Sequence, residues 1–338
     1  MKTILLGIES SCDETSASIC IDGKVMNNII ATQSIHKEYG GVVPELASRA
    51  HQKNIILVVD SALKGAQIKL SDLSAIAVTQ GPGLLGALMV GYSYAKSLAF
   101  ALNIPFINVN HMKAHILAHF IETPAPIFPF LCLTVSGGHT QIVKVDSAID
   151  MVVLGSTIDD AVGEAFDKGA KLLGFPYPGG PQIDKYAASG NPDRFPFSES
   201  QIKDLNFSFS GIKTSLLYFL RDHLKKNPTF IEENIEDICA SYQKHLISML
   251  MKKLVSAAGK TGIRQIAIAG GVAANKELRK QLKLLSQKHN WTSYIPEFEY
   301  CTDNAAMVAI SGHLYFQNDS FGNLTDAPKP RMTFENEK

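Results

Sequence analysis

The predicted strands and helices of this chain follow the same order twice, and this repeat limits the possible folds more than any other feature. The first half is predicted to contain three strands at Thr3–Ile8, Ser16–Ile21 and Lys24–Ile30, a helix from Val43 to Gly65, a strand at Ala75–Thr79, a helix at Leu84–Leu102, a strand at Phe106–Val109 and a final helix. Apolar periodicity, the Asp22-Gly23 turn and Pro44 near a helix start support these bounds. The first half therefore reads β-β-β-α-β-α-β-α.

The second half repeats this order with negligible residue identity, so the repeat is one of architecture. Its elements are predicted at Phe130–Val135, Thr140–Val145, Met151–Leu154, Gln265–Ala269, Ala274–Gln287 and Thr292–Ile295, followed by a helix that Asp303 opens. An insertion of about 174–232, rich in glycine, proline, phenylalanine and serine, interrupts this half. Because 338 residues exceed one comfortable core, we predict two α/β domains. They are 1–110, joined by about 306–331, and 111–305, with 332–338 as a loose tail.

The composition fits two packed domains and disfavours several classes of protein. Hydrophobic residues make up 46% of the chain and charged residues 19%, so two cores are feasible and disorder is disfavoured. The five cysteines include no C-x-x-C pair, which is typical of reduced thiols in a cytosolic protein. Tyr92, Tyr94 and Lys96 interrupt the apolar segment Leu84–Leu102, so we predict a core helix and no membrane span. A soluble, cytoplasmic protein is expected.

Positive and negative charges are balanced, with 32 Lys and Arg residues against 32 Asp and Glu residues. A nucleic-acid partner would therefore need a local patch or a helper protein. Two basic sets are candidates for such a patch. The first is Lys203, Lys213, Arg221, Lys225 and Lys226, and the second is Lys276, Arg279, Lys280 and Lys283. A solvated helix face is the simpler interpretation of either set taken alone.

Two histidines at helical spacing predict a metal site. His111 and His115 follow a predicted strand, and residues four apart share one helix face, so both imidazoles can reach one ion. Asp303 occupies the equivalent strand-to-helix corner of the second half. Two imidazoles and one carboxylate leave ligand positions open and suit Fe(II). We predict that these residues, one set from each half, hold one metal ion; surface or capping histidines are the alternative.

Turns rich in glycine and small polar residues predict a nucleotide site. The first hairpin carries residues 9–15 (ESSCDET), and the second carries residues 136–140 (SGGHT). Glycines let backbone N–H groups converge on a phosphate, and Gly270-Gly271 would let a base or ribose approach the chain. Each pair alone is more often a plain turn. In matching positions of a duplicated fold, these turns resemble the nucleotide cleft of the actin, hexokinase and heat-shock ATPase superfamily. The predicted fold class is therefore a duplicated actin-like α/β fold around a nucleotide and metal cleft.

Longer motifs, in order along the chain, resemble one family. They are residues 7–16 (GIESSCDETS), 81–86 (GPGLLG), 110–115 (NHMKAH), 136–140 (SGGHT), 159–168 (DDAVGEAFDK), 177–181 (YPGGP), 207–214 (FSFSGIKT), 269–275 (AGGVAAN) and 301–304 (CTDN). From about Ile4 to Arg331 the chain resembles the bacterial TsaD family, tRNA N6-adenosine threonylcarbamoyltransferases once described as glycoproteases. One departure is Met332, where the family has tryptophan; it puts a stacking role of that aromatic in doubt, but not the active site.

The resemblance implies a transfer reaction. The family moves the threonylcarbamoyl group of threonylcarbamoyl-adenylate to N6 of the adenosine 3′ of the anticodon, in tRNAs that read codons beginning with A, and AMP leaves. By resemblance, His111, His115 and Asp303 hold the metal, usually iron, with zinc as the alternative. The substrate-binding residues implied are Thr134, Val135, Ser136, Gly137, Gly138, Asp167, Gly180, Asp184 and Asn275.

The resemblance also implies protein partners, a paralogous TsaB-type subunit and a small TsaE-type ATPase. The helix at 43–65 carries more apolar residues than one buried face needs, which predicts pairing with a related subunit. Adenosine N6 is a weak nucleophile, so a base would help, and Asp13 or Glu14 is the candidate base. Turn or helix capping is the alternative role for these two residues, and for Asp167 and Asp184. A nucleotide-binding ATPase of the same superfamily or a non-catalytic partner subunit are the rival functions, but neither needs the metal ligands.

Overall fold

The computed structural model of the chain describes residues 2–39, 41–197 and 202–334. The chain divides into two compact units. Unit 1 consists of the described residues within Met1–Pro126, Asp146–Met151 and Pro296–Lys338, and unit 2 of those within Ile127–Val145 and Val152–Ile295. Residues 111–126 and 296–305 thus belong to unit 1, which differs from the predicted domain boundaries.

Eleven β-strands and nine α-helices lie within the described residues. The strands are β1 (Ile4–Glu9), β2 (Glu14–Ile21), β3 (Lys24–Val25), β4 (Ile29–Thr32), β5 (Ala75–Gly81), β6 (Phe106–Asn110), β7 (Phe130–Val135), β8 (Thr140–Val145), β9 (Met151–Ser156), β10 (Gln265–Ala269) and β11 (Thr292–Tyr294). The helices are α1 (Pro44–Ala66), α2 (Leu85–Leu102), α3 (His111–Leu117), α4 (Val162–Leu172), α5 (Gly180–Ala187), α6 (Ser210–Leu224), α7 (Phe230–Thr261), α8 (Lys276–His289) and α9 (Ala305–Gln317).

The first sheet is mixed, with strand order β3-β2-β1-β5-β6 and with β4 paired to β2. β1 runs antiparallel to β2 and parallel to β5, which in turn runs parallel to β6. β1 and β5 are buried along their whole length, which explains their nearly continuous apolar sequence. The predicted third strand at 24–30 is split into β3 and β4, because both short strands pair with β2.

Helix α9 belongs to unit 1 because it packs directly on β1, β2 and β5. Two glycines permit this close packing. A Cβ atom on Gly7 would lie 2.5 Å from the backbone nitrogen of Ala309, and one on Gly312 would lie 2.4 Å from Cβ of Ala77. Helix α1 begins with Pro44 at its first turn, as expected, and buries one apolar face in a core cluster that is separate from the one containing Ala309 and Ile310 of α9.

The second sheet has the strand order β9-β8-β7-β10-β11. β7 runs antiparallel to β8 and parallel to β10, and β10 runs parallel to β11. Counted along each half, this is the same order as in the first sheet, since the first three strands lie side by side and the fourth pairs with the first. The predicted architectural repeat is confirmed.

The insertion in unit 2 contains α5, α6 and the start of α7. Asp159 supports α6: its carboxylate accepts hydrogen bonds from the backbone N–H of Phe209 and from the hydroxyls of Ser208 and Ser210. Among the described helices, α2 alone has the length and hydropathy to cross a membrane, a test that core helices also pass. Its inner residues, including Ala87, Leu88 and Tyr92, are buried in unit 1.

The C-terminal segment is held in place, which differs from the expected loose tail. The backbone N–H of Lys329 donates to the carbonyl of Gln80 at 2.8 Å, and that of Gly83 donates to the carbonyl of Pro330 at 3.2 Å. Met332, at the position of the family tryptophan, and Phe334 are both buried. These contacts fix the segment as far as residue 334, and residues 335–338 lie outside the described part of the chain.

Candidate functional site

Two helix starts bring the predicted metal ligands together in unit 1. Asn110 ends β6, and its side chain accepts hydrogen bonds from the first N–H groups of α3, which places His111 and His115 on successive turns. Asn304 caps α9 in the same way, directly after Asp303. The Nε2 atoms of His111 and His115 lie 3.3 and 3.2 Å from Oδ1 of Asp303. All three ligand residues lie in unit 1, whereas the sequence analysis assigned them to two halves.

Glu9, which the sequence analysis did not single out, orients His111. Nδ1 of His111 lies 3.2 Å from Oε2 of Glu9 and 3.2 Å from the hydroxyl of Ser11. Glu9 is fully buried at the end of β1 and also accepts a hydrogen bond from the hydroxyl of Thr79. A partner on the outer ring nitrogen fixes the orientation of a metal-binding histidine. The available signal was an acidic residue that ends a buried apolar strand.

Electrostatic attraction favours the charged forms of Glu9, Asp303 and His111. Burial acts to raise the pKa of Glu9, but the charge of His111 and its hydrogen bond bring that pKa below the usual value. Burial likewise opposes ionisation of Asp303, and the same histidine lowers the pKa of Asp303 strongly. Burial opposes the charging of His111, yet Asp303 and Glu9 raise its pKa well above the usual value. The cluster therefore favours positive charge at its centre.

The ligand set fits a divalent metal ion. Two imidazole Nε2 atoms face one carboxylate, and the three candidate ligand atoms lie within 4.8 Å of one another. Nitrogen and carboxylate ligands in this ratio suit Fe(II) or zinc and leave positions open for substrate. Nδ1 of His115 is buried and has no hydrogen-bond partner in the described part of the chain, so packing and the contact of Nε2 with Asp303 orient that ring.

The loop between β1 and β2, residues 10–13, is anchored on α2. The backbone N–H of Leu84 donates to the carbonyl of Ser11 at 2.8 Å, and the hydroxyl of Ser10 donates to the carbonyl of Ala87 at 3.0 Å. A Cβ on Gly83 would lie 2.6 Å from the Ser11 carbonyl oxygen, so only glycine permits this approach. The GPG turn at residues 81–83 therefore allows the loop to pack closely against the start of α2.

Asp13 and Glu14, the candidate bases, follow these anchored residues. Both side chains are half-buried, and Glu14 begins β2. Burial raises the pKa of Glu14 to about 9, with further contributions from the charges of Asp13 and Asp303. The loop and the ligand cluster thus place an excess of carboxylates in one part of unit 1, which is a favourable environment for a cation.

In unit 2, the predicted phosphate-binding residues lie at the end of β7 and in the turn that follows. Thr134 and Val135 are buried strand residues, and the hydroxyl of Ser136 accepts a hydrogen bond from the backbone N–H of His139 at 3.1 Å. Gly137 and Gly138 are exposed, and a Cβ on either would meet no atom within 4 Å. The turn therefore offers open backbone to an incoming group.

Asp167 lies on α4 and holds the glycine turn that starts α5. Its Oδ1 accepts hydrogen bonds from the backbone N–H groups of Gly179 at 2.8 Å and Gly180 at 3.3 Å. Burial raises the pKa of Asp167 above its usual value, although these bonds oppose the shift. The turn-capping alternative is therefore realised for one carboxylate oxygen of Asp167.

Asp184 and Asn275 meet at the start of α8. Oδ1 of Asn275 caps the helix by accepting from Leu278 N–H at 3.0 Å, and its Nδ2 donates to Oε1 of Gln243 at 2.6 Å. Asp184 Oδ2 accepts from the backbone N–H of Lys276 at 3.4 Å. Burial raises the pKa of Asp184, as it does that of Asp167. Gln243 on α7 was missed by the sequence analysis, because nothing in its own segment marks it.

Gly270 and Gly271 have different surroundings, although they are adjacent. Gly270 has a φ of +90°, and a Cβ there would lie 2.5 Å from the carbonyl oxygen of Val135. Gly271 has no such neighbour, because a Cβ on it would meet nothing within 4 Å. Gly270 therefore permits close packing beside β7, and Gly271 leaves open space.

The two candidate basic sets in unit 2 differ in the residues that surround them. Lys276, Arg279, Lys280 and Lys283 line a groove of about 310 Å³ on α8 together with Leu284 and Gln287. On α6, Arg221 and Lys225 flank Asp222, with nitrogen–oxygen distances of 3.1 and 3.9 Å. Within the α8 set, Lys280 pairs with Glu277 at 3.2 Å, and Nε of Arg279 donates to the carbonyl of Ala273 at 2.7 Å.

The fold resembles solved structures of actin-like proteins. HypF of T. kodakarensis aligns with a TM-score of 0.61 at 14% identity, over 94% of this chain and 48% of that one. Component A of the (R)-2-hydroxyglutaryl-CoA dehydratase of Acidaminococcus fermentans aligns with a TM-score of 0.51 at 15% identity, over 92% of this chain and 96% of that one. These similarities show the fold alone. They confirm the predicted class, a duplicated actin-like α/β protein.

Sequence similarity is far closer and shows the family. The TsaD family, described as tRNA N6-adenosine threonylcarbamoyltransferase, matches residues 24–310. A protein of that description from Cytophaga hutchinsonii is 58% identical over 98% of this chain and 97% of its own length. One from Christiangramia forsetii is 55% identical over 98% of this chain and 99% of its own length. The chain belongs to the TsaD family of tRNA N6-adenosine threonylcarbamoyltransferases, and the predicted transferase activity in tRNA modification is confirmed.

Proposed function

We propose that the chain transfers a threonylcarbamoyl group from threonylcarbamoyl-adenylate to N6 of the adenosine 3′ of the anticodon, in tRNAs that read codons beginning with A. The bond from N6 to the carbamoyl carbon forms, the bond from that carbon to the phosphate oxygen breaks, AMP leaves and N6 loses a proton. The convergence of His111, His115 and Asp303 beside the loop of Asp13 and Glu14 is the observation that carries this proposal.

The three converging residues are proposed to hold one Fe(2+) ion per chain, with zinc as the alternative. Such an ion supplies Lewis acidity, which stabilises negative charge on phosphate or carbamoyl oxygens. Glu9 holds His111 in the orientation that directs Nε2 toward Asp303. The proton that N6 loses passes to Asp13 or Glu14, whichever is ionised when the amine attacks. Burial raises the pKa of Glu14 to about 9, so Glu14 can fill this role only where a bound cation lowers that pKa.

The donor's adenylate is proposed to bind to unit 2. The exposed Gly137 and Gly138 offer backbone N–H groups to the phosphate, next to Thr134, Val135 and Ser136. The remaining binding residues are proposed to hold the ribose and base. They are Asp167, Gly180, Asp184 and Asn275. The hydrogen bonds that these side chains already make fix the walls of the site before the ligand arrives.

The decisive experiment measures the product in tRNA. Depletion of this protein, in a cell with no second copy, should abolish threonylcarbamoyladenosine in a mass-spectrometric analysis of tRNA nucleosides. Re-expression of the wild-type chain should restore it, and the His115→Ala variant should not. Intact threonylcarbamoyladenosine after complete depletion would contradict the proposal. Purified components that yield modified tRNA and AMP in equal amounts would fix the stoichiometry.

Partner proteins are proposed to dock on the outer faces of α1 and α2. Ile56 and Leu57 on α1 are 62% and 64% exposed, and Leu85 and Met89 on α2 are 52% and 51% exposed. Exposed apolar side chains on two helices that pack together are typical of a protein interface. A TsaB-type paralogue is the proposed occupant, and a TsaE-type ATPase is the proposed third component of a cytoplasmic complex.

Introducing negative charge on α1 tests this interface. The variant Ile56→Glu/Leu57→Glu should fail to form the complex with the TsaB-type subunit in light scattering, because two charges would be buried without partners. The control variant Ile158→Glu, at a position 63% exposed in unit 2, should form it normally. A complex undisturbed by the double change would place the contact elsewhere.

The tRNA backbone is proposed to bind along α8, because four basic side chains line one groove there. Removing two phosphate contacts should reduce the slope of log affinity against log salt by about two. We therefore expect Lys280→Ala/Lys283→Ala to weaken tRNA binding and flatten this slope. Lys225→Ala/Lys226→Ala removes the same charge near α6 and should change neither. Equal effects of both variants would argue against α8.

A further inference from the structure

A buried histidine on α1 holds both ends of the segment that carries the candidate bases. His51 is fully buried, and both of its ring nitrogens are hydrogen-bonded. Nδ1 lies 2.7 Å from the hydroxyl of Thr15, and Nε2 lies 3.0 Å from the carbonyl oxygen of Cys12. Asp13 and Glu14 are the two residues between these contacts. The imidazole thus spans the segment and ties it to α1.

The partners of His51 define its protonation. A carbonyl oxygen only accepts, so Nε2 carries the proton and Nδ1 accepts from the hydroxyl of Thr15. Burial lowers the pKa of His51, against the opposing effects of the Cys12 carbonyl and nearby carboxylates, which agrees with a neutral ring. A neutral imidazole in this tautomer satisfies both contacts without adding charge to the loop.

Packing alone does not account for this residue. The other buried residues on this face of α1 are apolar, namely Ala47, Ile55, Val58, Val59, Ala62 and Leu63. A polar ring among them is costly to desolvate unless its hydrogen bonds are made, and a leucine of similar size would fill the space at no such cost. The two hydrogen bonds to residues 12 and 15 are what the imidazole adds.

We infer that His51 is a positioning residue for the transfer reaction, because it fixes the backbone on either side of Asp13 and Glu14. This rests on the proposed function, in which one of these carboxylates accepts the N6 proton. The other end of the loop is anchored on α2 through Ser10 and Ser11. Without His51, the carboxylates would lose their fixed position, while the metal ligands on α3 and before α9 would keep theirs.

Steady-state kinetics of two variants test the inference. His51→Leu keeps the volume and removes both hydrogen bonds, and Thr15→Val removes one. We expect His51→Leu to lower kcat about tenfold or more, since small misplacements of catalytic groups have effects of this order. KM for the donor and the metal content should stay unchanged. Thr15→Val should have a smaller effect in the same direction. The double variant should be no worse than His51→Leu, because the hydrogen bond that Thr15→Val removes is one of the two that His51→Leu already removes.

Controls separate positioning from loss of fold. His51→Gln can still donate to the Cys12 carbonyl and should recover part of kcat. His313→Gln changes a buried histidine of α9 outside the loop and should leave kcat unchanged. A folded His51→Leu protein with wild-type kcat would overturn the inference, and so would a loss that His313→Gln reproduces. If His51→Leu does not fold, wild-type kcat in Thr15→Val overturns it. A wild-type chain without transfer activity would instead refute the proposed function.

Discussion

The hairpins that open the two sheets have the same topology and opposite chemistry. In unit 1, the loop between β1 and β2 turns its side chains inward: Ser10 and Ser11 are buried, and carboxylates dominate the residues around it. In unit 2, the turn between β7 and β8 consists of exposed glycines whose backbone is open. The first environment favours a cation and the second favours an anion. Duplication of the architecture thus supplied two equivalent corners, and the residues at each corner decide which charge it can hold.

The largest expected effect is that of removing a proposed metal ligand from the corner in unit 1. Asp303→Ala should lose its metal and reduce transfer by well over about tenfold, because one ligand is replaced by water. The melting temperature should stay near the wild-type value, since the core of unit 1 is independent of the ligands. Metal analysis, thermal melting and a transfer assay measure these three properties. Full activity in a metal-free variant would refute the catalytic role, and collapse of the fold would favour a structural one.

A substitution at the corner in unit 2 should instead weaken nucleotide binding and leave the metal content unchanged. Gly271→Val adds bulk where the protein has no atom within 4 Å, so the new side chain should meet only the ligand. Calorimetry with a non-reactive adenylate analogue should show at least about a tenfold loss of affinity, or 1.4 kcal/mol. Gly259→Val makes the same change on the exposed side of α7 and should bind normally. Unchanged affinity in folded Gly271→Val would rule this corner out as the nucleotide site.

The smallest expected effect concerns the carboxylates of unit 2, which lack a histidine partner like that of Asp303. Burial raises the pKa of Asp167, so its contribution to stability is present at acid pH and is lost as pH rises through the folded-state pKa. Asp167→Asn keeps the acceptor for Gly179 and Gly180. It should therefore match or slightly exceed wild-type stability at neutral pH, and the difference should vanish on acidification.

Asp159→Asn provides a control of opposite sign in the same unit. Burial acts to raise the pKa of Asp159, but hydrogen bonds from Ser208, Phe209 and Ser210 lower it below the usual value. Its stabilising contribution is present at neutral pH and is lost as pH falls through the folded-state pKa. Asp159→Asn should thus be less stable than wild type at neutral pH and should approach it in acid. Urea unfolding across this pH range measures the stability of both variants. The same pH dependence in both would contradict the opposite directions of the two pKa shifts.

The parts of the fold that were predictable are those governed by local patterns. Short apolar runs located β7 and β8 to the residue, because both strands are largely buried and bounded by turn residues. The start of α8 was predicted two residues early, since residues 271–274 form a 3₁₀ turn before the helix begins. The third strand of the first half was predicted as one piece because its split arises from pairing with β2, which no local pattern records.

In the candidate site, too, the residues that were predicted are those marked by a pattern in the sequence. His111 and His115 were predicted as ligands because their spacing is local. The architectural repeat added Asp303, and the family motifs added the binding residues of unit 2. Glu9 and His51 were missed, since their contacts are with residues 102 and 39 positions away along the chain. Their neighbours in sequence resemble ordinary strand and helix residues. Only the folded chain shows that a buried carboxylate faces His111 and that a buried imidazole spans residues 12–15.

The completion of unit 1 by the end of the chain has a consequence for biosynthesis. The ribosome releases β1 to β6 and the two histidines early, whereas Asp303 and α9 follow only after the whole of unit 2. Until then, the sheet of unit 1 lacks the helix that covers β1, β2 and β5. A nascent or prematurely terminated chain therefore displays an uncovered apolar sheet and an incomplete ligand set. On the proposed function, the ion can therefore be held only after translation has passed α9, and products that stop earlier should be recognised by chaperones and proteases before they can bind it.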